Sequence, residues 1–276
     1  MRALLAPPAW IRTVVLALGL WTFAMPVMAQ AGFDHGPWNR LLAAHVRWSP
    51  DGHASTVDYA GMQADRAALR RYLATLSAVR PEAFEAWPDK AQLAFLINAY
   101  NAWTVELILT GYPDIASIKD LGSLLRSPWR KAFIPLLGQT RSLDDIEHGL
   151  IRGSGRYRDP RIHFAVNCAS IGCPALRPEA YVAERLDAQL DDQMRRFLSD
   201  RSRNGLSDGR LRVSPIFKWY REDFEQGFGG RDRLEDFLAD HAAELGLDEA
   251  QTRTLREGVL PVRFGDYDWR LNDGRH

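Results

Sequence analysis

The residues with the most reactive chemistry lie in one short stretch, HFAVNCASIGCP, which runs from His163 to Pro174. It holds both cysteines of the chain, Cys168 and Cys173, five positions apart. A cysteine beside an imidazole can become a thiolate nucleophile, whereas two cysteines in an oxidising compartment can close a disulfide. The spacing fits either outcome, because a pair in a loop can reach the Cα separation that a disulfide needs.

Two histidines are candidate bases for a Cys168 thiolate. His163 is close in sequence, and His148 lies in the segment SLDDIEHGLIRG, which is typical of an amphipathic helix capped by Ser142 with Asp145 at its third position. There Asp144 precedes His148 by four positions and Glu147 by one, so a carboxylate could orient the imidazole. These residues predict a thiol-dependent hydrolase or acyltransferase, with Cys168 as nucleophile and His148 or His163 as base.

Other chemistries are less well supported by the residue pattern. Glu147, His148, His163 and Cys168 are ligand types that suit zinc, but their spacing matches no common zinc motif, so no metal is expected. No phosphate-binding glycine loop is present, and no cofactor is predicted. The alternative to an enzyme is a non-catalytic exported binding module with a Cys168–Cys173 disulfide. Its aromatic cleft would take a small molecule, a peptide or a glycan, and its candidate residues are Trp87, Trp103, Trp219, Tyr220 and Trp269.

The segment PDKAQLAFLINAYNAWTVELILTGYP predicts a long helix that is apolar almost all the way round, and therefore buried at the centre of the protein. Asn98 and Asn101 lie three positions apart on one face of it. They either fix a neighbouring loop through hydrogen bonds or line a polar cleft. On the second interpretation the cleft residues are Asn98, Tyr100, Asn101, Asn167 and Trp269.

The elements around this helix predict the fold class. WNRLLAAHVRW, DRAALRRYLATLSAV, PEAYVAERLDAQLDDQMRRFLSD, KWYREDFEQGF and RDRLEDFLADHAAEL have helical spacing, STVDYAGM and GRLRVSPIF indicate strands, and FIPLLGQTRSL indicates a hairpin around Gly138. RDPRIHFAVNC fits a strand by alternation or a helix that starts at Asp159–Pro160. We expect an α+β fold: a mostly helical single domain with a few short strands around the central helix.

The first 29 residues have the pattern of an export signal. Arg2 and Arg12 precede the apolar run TVVLALGLWTFAMPVMA, whose end places Val27 and Ala29 in a small-x-small cleavage pattern. We therefore expect residues 1–29 to be removed and residues 30–276 to form one globular domain, in the periplasm or secreted.

Charge and hydropathy exclude two classes of partner. Without Arg2 and Arg12, 33 basic residues face 35 acidic ones, so no long-range attraction to nucleic acid is expected. No later apolar run approaches the roughly 20 residues that a membrane span requires. The predicted partner is thus a small molecule, a peptide or a glycan.

Several long motifs, in order, resemble one family. FLINAYNAWTVELIL, SLDDIEHGLIRG, DPRIHFAVNCASIGCPALRPEAY, VSPIFKWYREDF and YDWRLND are similar to segments of the domain-of-unknown-function family 547, over about residues 65–273. The resemblance implies a fold and a set of candidate residues, but no reaction. Its motif positions are Asn98, Tyr100, Asn101, Glu147, His148, His163, Asn167, Cys168, Cys173, Trp269 and Asn272.

Overall fold

The computed structural model describes residues 32–123 and 126–275, so the expected signal at residues 1–29 lies outside the described residues. Within them helices predominate and the strands are short, which confirms the α+β prediction. In chain order the elements are α1 (Gly36–His45), β1 (Val46–Trp48), β2 (Ser55–Val57), α2 (Tyr59–Ala64), α3 (Arg66–Ser77), α4 (Pro81–Glu85), α5 (Asp89–Leu109), β3 (Ile134–Leu136), β4 (Gln139–Arg141), a π-helix (Asp145–Arg152), α6 (Leu186–Ser199), β5 (Gly205–Ser207), β6 (Arg210–Val213), α7 (Ile216–Trp219), α8 (Arg221–Phe224), α9 (Leu234–Asp240), α10 (Ala242–Leu245), α11 (Glu249–Arg256) and β7 (Val262–Phe264).

Helix α5 is the centre of the fold, as its apolar sequence predicts. Every residue from Ala91 to Leu109 is buried, because α3, the π-helix and several short segments pack around it. Pro88 immediately precedes the helix, where its fixed φ suits a helix start and its missing N–H costs nothing. Of the described helices, none is both long and apolar enough to cross a membrane.

The strands form three small sheets. β1 and β2 are antiparallel, and β3 and β4 form the predicted hairpin, with Gly138 between them at φ +72°. β5 and β6 are antiparallel, while β7 joins β6 in parallel, which the intervening helices α7–α11 make possible.

The segment after Ser142 folds as a π-helix rather than an α-helix. The predicted cap is present: the Ser142 hydroxyl accepts from the Asp145 backbone N–H, and the Asp145 carboxylate accepts from the Ser142 N–H at 2.7 Å. The hydrogen bond from Gly153 N to His148 O (2.9 Å) spans five residues. Each turn therefore holds more residues than an α-turn, and side chains four apart lie nearly above one another.

The strand interpretation of RDPRIHFAVNC is wrong. Residues Pro160–Phe164 form a 3₁₀ helix, and the Asp159 carboxylate caps it by accepting from the Arg161 N–H at 2.9 Å. The Asp-Pro start therefore outweighs the alternation of apolar residues that follows it. The backbone then runs as an irregular loop through both cysteines, with Ala169 in the left-handed region at φ +61°.

Three predicted helices have different bounds in the structure. The one expected from Pro178 begins only at Leu186, and the two that follow it are each divided into a pair of short helices, α7–α8 and α9–α10. Tyr220 and His241 lie at these breaks. Helical periodicity survives such a break, since the flanking turns keep the same buried face.

The apolar side chains form two clusters. The larger surrounds α5 and includes Tyr100 and Val166, while the second holds the C-terminal helices together and includes Phe164 and Ile216. The short stretch from Phe164 to Val166 therefore contributes to both clusters, and residues of both clusters line the cavity described below.

Candidate functional site

A cavity of about 170 Å³ opens beside the two cysteines. It combines three kinds of wall: acidic and imidazole groups, aromatic rings, and the disulfide loop. Its lining residues are Tyr100, Ser127, Trp129, Asp144, Glu147, His148, His163, Val166, Cys168, Cys173, Pro174, Ile216, Trp219, Tyr220, Tyr267 and Trp269. The structure thus brings every predicted catalytic residue to one cavity, together with Tyr100 and Trp269 of the predicted cleft.

The two cysteines form a disulfide, which is the second of the two outcomes that the sequence left open. The sulfur atoms are 2.10 Å apart and the Cα atoms 6.1 Å apart. The Tyr267 hydroxyl contacts both sulfurs, at 3.1 Å from Cys168 and 3.2 Å from Cys173. Among the described residues, the hydroxyls of Tyr267 and Ser170, not an imidazole, are the side-chain partners of Cys168 Sγ.

A chain of hydrogen bonds joins the two histidines. His163 Nε2 is 2.6 Å from the Asp223 carboxylate, which also accepts from Arg152 Nη2 at 3.0 Å. Arg152 Nη1 lies 2.8 Å from His148 Nδ1. Arginine can only donate, so His148 Nδ1 accepts from Arg152 through its lone pair. The Asp223 carboxylate only accepts, so His163 Nε2 carries the proton and His163 Nδ1 carries the lone pair.

Burial and hydrogen bonding set the protonation of this chain. Burial lowers the pKa of His163 even though the bond to Asp223 opposes it, so the imidazole is neutral near pH 7. Burial alone would raise the pKa of Asp223, but the hydrogen bonds from His163 and Arg152 outweigh it and hold that pKa well below its ordinary range. The result is a fixed carboxylate that orients a neutral imidazole.

Two buried polar atoms at the cavity have no hydrogen-bond partner within the described chain: Glu147 Oε1 and His163 Nδ1. Glu147 is 5% exposed and His163 is 2% exposed. Leaving a buried acceptor unpaired costs about 1–3 kcal/mol. The Glu147 carboxylate also interacts with the Tyr100 and Tyr220 hydroxyls, and burial followed by this charge raises the pKa of both tyrosines far above the ordinary value.

The mouth of the cavity holds a second acid and imidazole, which are accessible to solvent. The His148 side chain is 43% exposed and that of Asp144 is 31% exposed, with His148 Nε2 at 3.9 Å from the Asp144 carboxylate. Burial raises the pKa of Asp144, and the nearby His148 only partly offsets it. The π-helix thus places one acid–base pair at the mouth and a further carboxylate, Glu147, deeper in the wall.

Aromatic rings form a further part of the cavity lining. Trp269 contacts three other rings, with centroid distances of 4.5 Å to Tyr267, 5.6 Å to Trp129 and 5.8 Å to Trp219. Trp219 is 47% exposed, which is unusual for a tryptophan packed against others. Trp87 and Trp103, two further candidates from the sequence, pack instead against the larger apolar cluster.

The three asparagines predicted as cleft residues do not line this cavity. The Asn98 amide bonds the backbone of Tyr181 in both directions, at 2.8 and 3.1 Å. Asn101 donates to Ala165 O at 2.9 Å and accepts from the Asn167 N–H at 2.8 Å. Asn167 is likewise buried and bonds the loop backbone, with its amide donating to Pro174 O at 2.8 Å. These amides fix the loops that carry His163 and the cysteines, which was the other interpretation of the α5 pair.

The C-terminal segment closes the cavity from outside the cysteine loop. Ile171 N–H donates to Arg270 O and Gly172 N–H to Asp268 O, both at 2.8 Å. A Cβ atom at Gly172 would lie 2.9 Å from the Tyr267 ring, closer than real contacts allow, so glycine permits this approach. The tail thereby holds Tyr267 against the disulfide, with the Trp269 ring packed beside Tyr267.

Sequence reasoning missed several residues of this site. Asp223, Arg152, Trp129 and Tyr267 were not singled out, although Asp223 lies in VSPIFKWYREDF and Tyr267 begins YDWRLND, both among the motifs of the resemblance. The motifs marked the right segments, but no local spacing links Asp223 to His163. Within the described residues, no group of three or more histidine, cysteine, aspartate or glutamate side chains is arranged to hold a metal ion.

Comparison with known proteins gives information about the family of this chain and none about its activity. No curated protein and no solved structure matches this chain. Residues 84–198, which carry α5, the π-helix and both cysteines, match a family model. Tyr220, Asp223 and the aromatic tail lie beyond the matched segment. The match agrees with the order of the motifs and supports assigning the chain to the family described as "Protein of unknown function, DUF547".

Proposed function

We propose that this protein is exported to the periplasm or secreted, and that it acts there as a hydrolase or transferase by general acid–base catalysis in the cavity. One observation carries the proposal: Glu147 Oε1 and His163 Nδ1 are both buried and unpaired, and both residues line the same cavity. Buried acceptors without partners are costly, and sites that bind reacting groups are where proteins retain them. The basic start and apolar run of residues 1–29, a pattern typical of an export signal, support the location.

The protonation pattern supports distinct roles. His163 is neutral and is held by Asp223, so its Nδ1 lone pair can accept a proton from an attacking group. Glu147 supplies a second acceptor beside it. Asp144, whose pKa burial raises, is suited to return a proton to a leaving group. With Cys168 in a disulfide, the attacking atom is the oxygen of a water molecule or a nucleophile of the acceptor substrate.

Thiol-dependent catalysis is the second candidate, and the position of Cys168 favours it. Its sulfur lines the same cavity and is hydrogen-bonded by Tyr267, a contact that would stabilise a thiolate after reduction. The disulfide must first be reduced, so activity would appear only in the presence of a thiol reductant. The acid–base mechanism instead operates with the disulfide intact.

The test compares products rather than assuming a substrate. The oxidised protein from Gln30 onward is incubated with a small-molecule and cell-wall extract of the periplasm, and mass spectrometry follows species that appear or disappear. We expect product changes with the wild type that Glu147→Gln abolishes and that Glu249→Gln, an exposed substitution in α11, retains. Identical product profiles for wild type and Glu147→Gln would overturn the acid–base proposal.

Two further arms separate the mechanisms and test the location. The variant with both Cys168→Ser and Cys173→Ser keeps its activity if the chemistry is acid–base, and loses a reductant-dependent activity if it is thiol-based. Intact-mass analysis of the periplasmic or secreted fraction should give an N-terminus at Gln30. A mass that includes residues 1–29 contradicts cleavage of the signal.

A further inference from the structure

The charges of the cavity wall have one sign. Among the described residues that line it, Asp144 and Glu147 carry the formal charges, and the two histidines complete the titratable set with the tyrosines. The guanidinium of Arg152, which contacts the lining residue His148, is already engaged with the Asp223 carboxylate. None of the described lining residues is a lysine or an arginine, so an anionic ligand would meet the two carboxylates without a cationic lining residue to offset them.

Both unpaired atoms are acceptors. A carboxylate oxygen offers only lone pairs, and His163 Nδ1 carries none of the imidazole protons because Nε2 donates to Asp223. A ligand that completes them must therefore bring at least two N–H or O–H donors. A primary ammonium group brings three donors together with a charge that compensates Glu147.

The aromatic wall adds a preference for a cation over a neutral hydroxyl compound. Tyr220, Trp219 and Trp269 present rings whose faces attract positive charge. Trp269 already shows this property within the chain, since the Lys119 ammonium lies 3.7 Å from its ring centroid. Aromatic walls and a buried carboxylate together form the kind of enclosure that binds amines.

We infer that the substrate of this cavity carries a primary ammonium group, which donates to Glu147 Oε1 and His163 Nδ1 while an adjoining apolar or ring portion packs against Trp219 and Trp269. The inference rests on the proposed function in that it names the substrate class for the same site. It excludes carboxylate and phosphate groups at this position, and it ranks neutral sugars below amines of similar size.

The test uses three probes of one shape and different charge. Benzylamine, benzyl alcohol and benzoate are titrated into the oxidised protein from Gln30 onward near pH 7, with binding followed by calorimetry and by tryptophan fluorescence. We expect benzylamine to bind roughly tenfold or more tightly than benzyl alcohol, since it adds a charge-assisted hydrogen bond and a cation–π contact. Benzoate should show no binding.

Two variants check that the preference arises at this wall. Glu147→Gln should bring benzylamine and benzyl alcohol to within a few fold of each other, because it removes the charge and keeps the shape. Trp219→Ala, at an exposed position, should weaken benzylamine binding without disturbing the carboxylate. Glu249→Gln serves as the matched control and should change nothing.

The outcomes separate this inference from the proposed function. Equal or tighter binding of benzyl alcohol or benzoate, a preference for the amine that persists in Glu147→Gln, or no binding of any probe would each overturn the amine inference. The product comparison decides the acid–base proposal independently. Amine binding without turnover would support the inference for a binding module, the non-catalytic alternative.

Discussion

Two sets of buried polar groups differ in whether their polar atoms have hydrogen-bond partners. The amides of Asn98 and Asn101 use both their donor and acceptor atoms on backbone groups of neighbouring loops. Glu147 and His163 line the cavity, and each leaves one acceptor unpaired. The first set stabilises the fold, whereas the second costs stability and is suited to contact something outside the chain.

The position of a buried polar group matters as well as whether it has a hydrogen-bond partner. Other buried polar atoms of the described chain also lack partners, among them the indole nitrogens of Trp38 and Trp103. Those residues pack in the larger apolar cluster, away from the cavity, whereas Glu147 and His163 line it. An unpaired group is thus informative when it borders space that a ligand can fill.

The largest loss of stability is expected when a fully hydrogen-bonded asparagine of α5 is replaced. Asn101→Leu strands Ala165 O and the Asn167 N–H, and each stranded group should cost about 1–3 kcal/mol of unfolding free energy. Urea denaturation measures the loss. Gln63→Leu, an exposed amide in α2, is the control and should change stability by less than about 0.5 kcal/mol. Equal midpoints for the two variants would show that the amide bonds contribute nothing.

A pH dependence follows from a second buried histidine of the scaffold. His35 hydrogen-bonds Tyr72 at 2.8 Å, and burial lowers its pKa from 6.5 to about 4. The folded state thus holds the neutral form, so stability is complete above about pH 6.5 and is lost as the pH falls toward 4, by at most roughly 3 kcal/mol.

His35→Gln should flatten this part of the stability curve, measured by urea unfolding at a series of pH values. His163 and Asp223, whose folded pKa values are also lowered, contribute in the same direction, so some dependence should persist in the variant. A variant curve that coincides with the wild type would show that His35 carries none of the effect.

Removal of the disulfide should have an intermediate effect. Closing so short a loop restricts the unfolded chain by about 2 kcal/mol, and the variant with Cys168→Ser and Cys173→Ser loses that term. Thermal unfolding of oxidised, reduced and variant protein measures it. The reduced wild type should match the variant, and a reduced protein as stable as the oxidised one would contradict this account.

The smallest effect on stability is expected from a substitution of Glu147, which has an unpaired carboxylate oxygen. Glu147→Gln removes the charge but keeps an oxygen that can accept from the Tyr100 and Tyr220 hydroxyls, so the unfolding free energy should change by less than about 1 kcal/mol. The preference for benzylamine over benzyl alcohol should be lost in the same variant. A destabilisation as large as that of Asn101→Leu would mean that Glu147 is structural, and the contrast between the two sets would fail.

Local patterns predicted those elements whose causes are local. The long apolar run predicted α5, the glycine turn predicted the hairpin, and Ser142 with Asp145 predicted the helix start. They could not distinguish the π-helix from an α-helix, because both share the same cap and nearly the same apolar stripe. The alternation after Asp159 suggested a strand, but the local cap determined a 3₁₀ helix.

The sequence identified the segments that form the site, but not which of their residues form hydrogen bonds with each other. Histidines, carboxylates and cysteines identified the right segments, whereas the Asp223–His163 pair joins positions 60 residues apart and depends on how the whole chain packs. The separation of the cysteines allowed both a free thiol and a disulfide. Whether the α5 amides faced a cleft or a loop depended on neighbours that the helix itself does not specify.

The placement of Tyr267 and Trp269 has a consequence for how the protein matures. The tail that carries them is held by the cysteine loop, and Leu271 and Asn272 bond backbone groups of Ala116 and Ala169. A chain still being synthesised lacks this segment, so α5, the π-helix and the cysteine loop all emerge before the cavity can be completed. Completion of the cavity therefore requires this segment, and a protease that removed it would take away two lining residues without cutting the core.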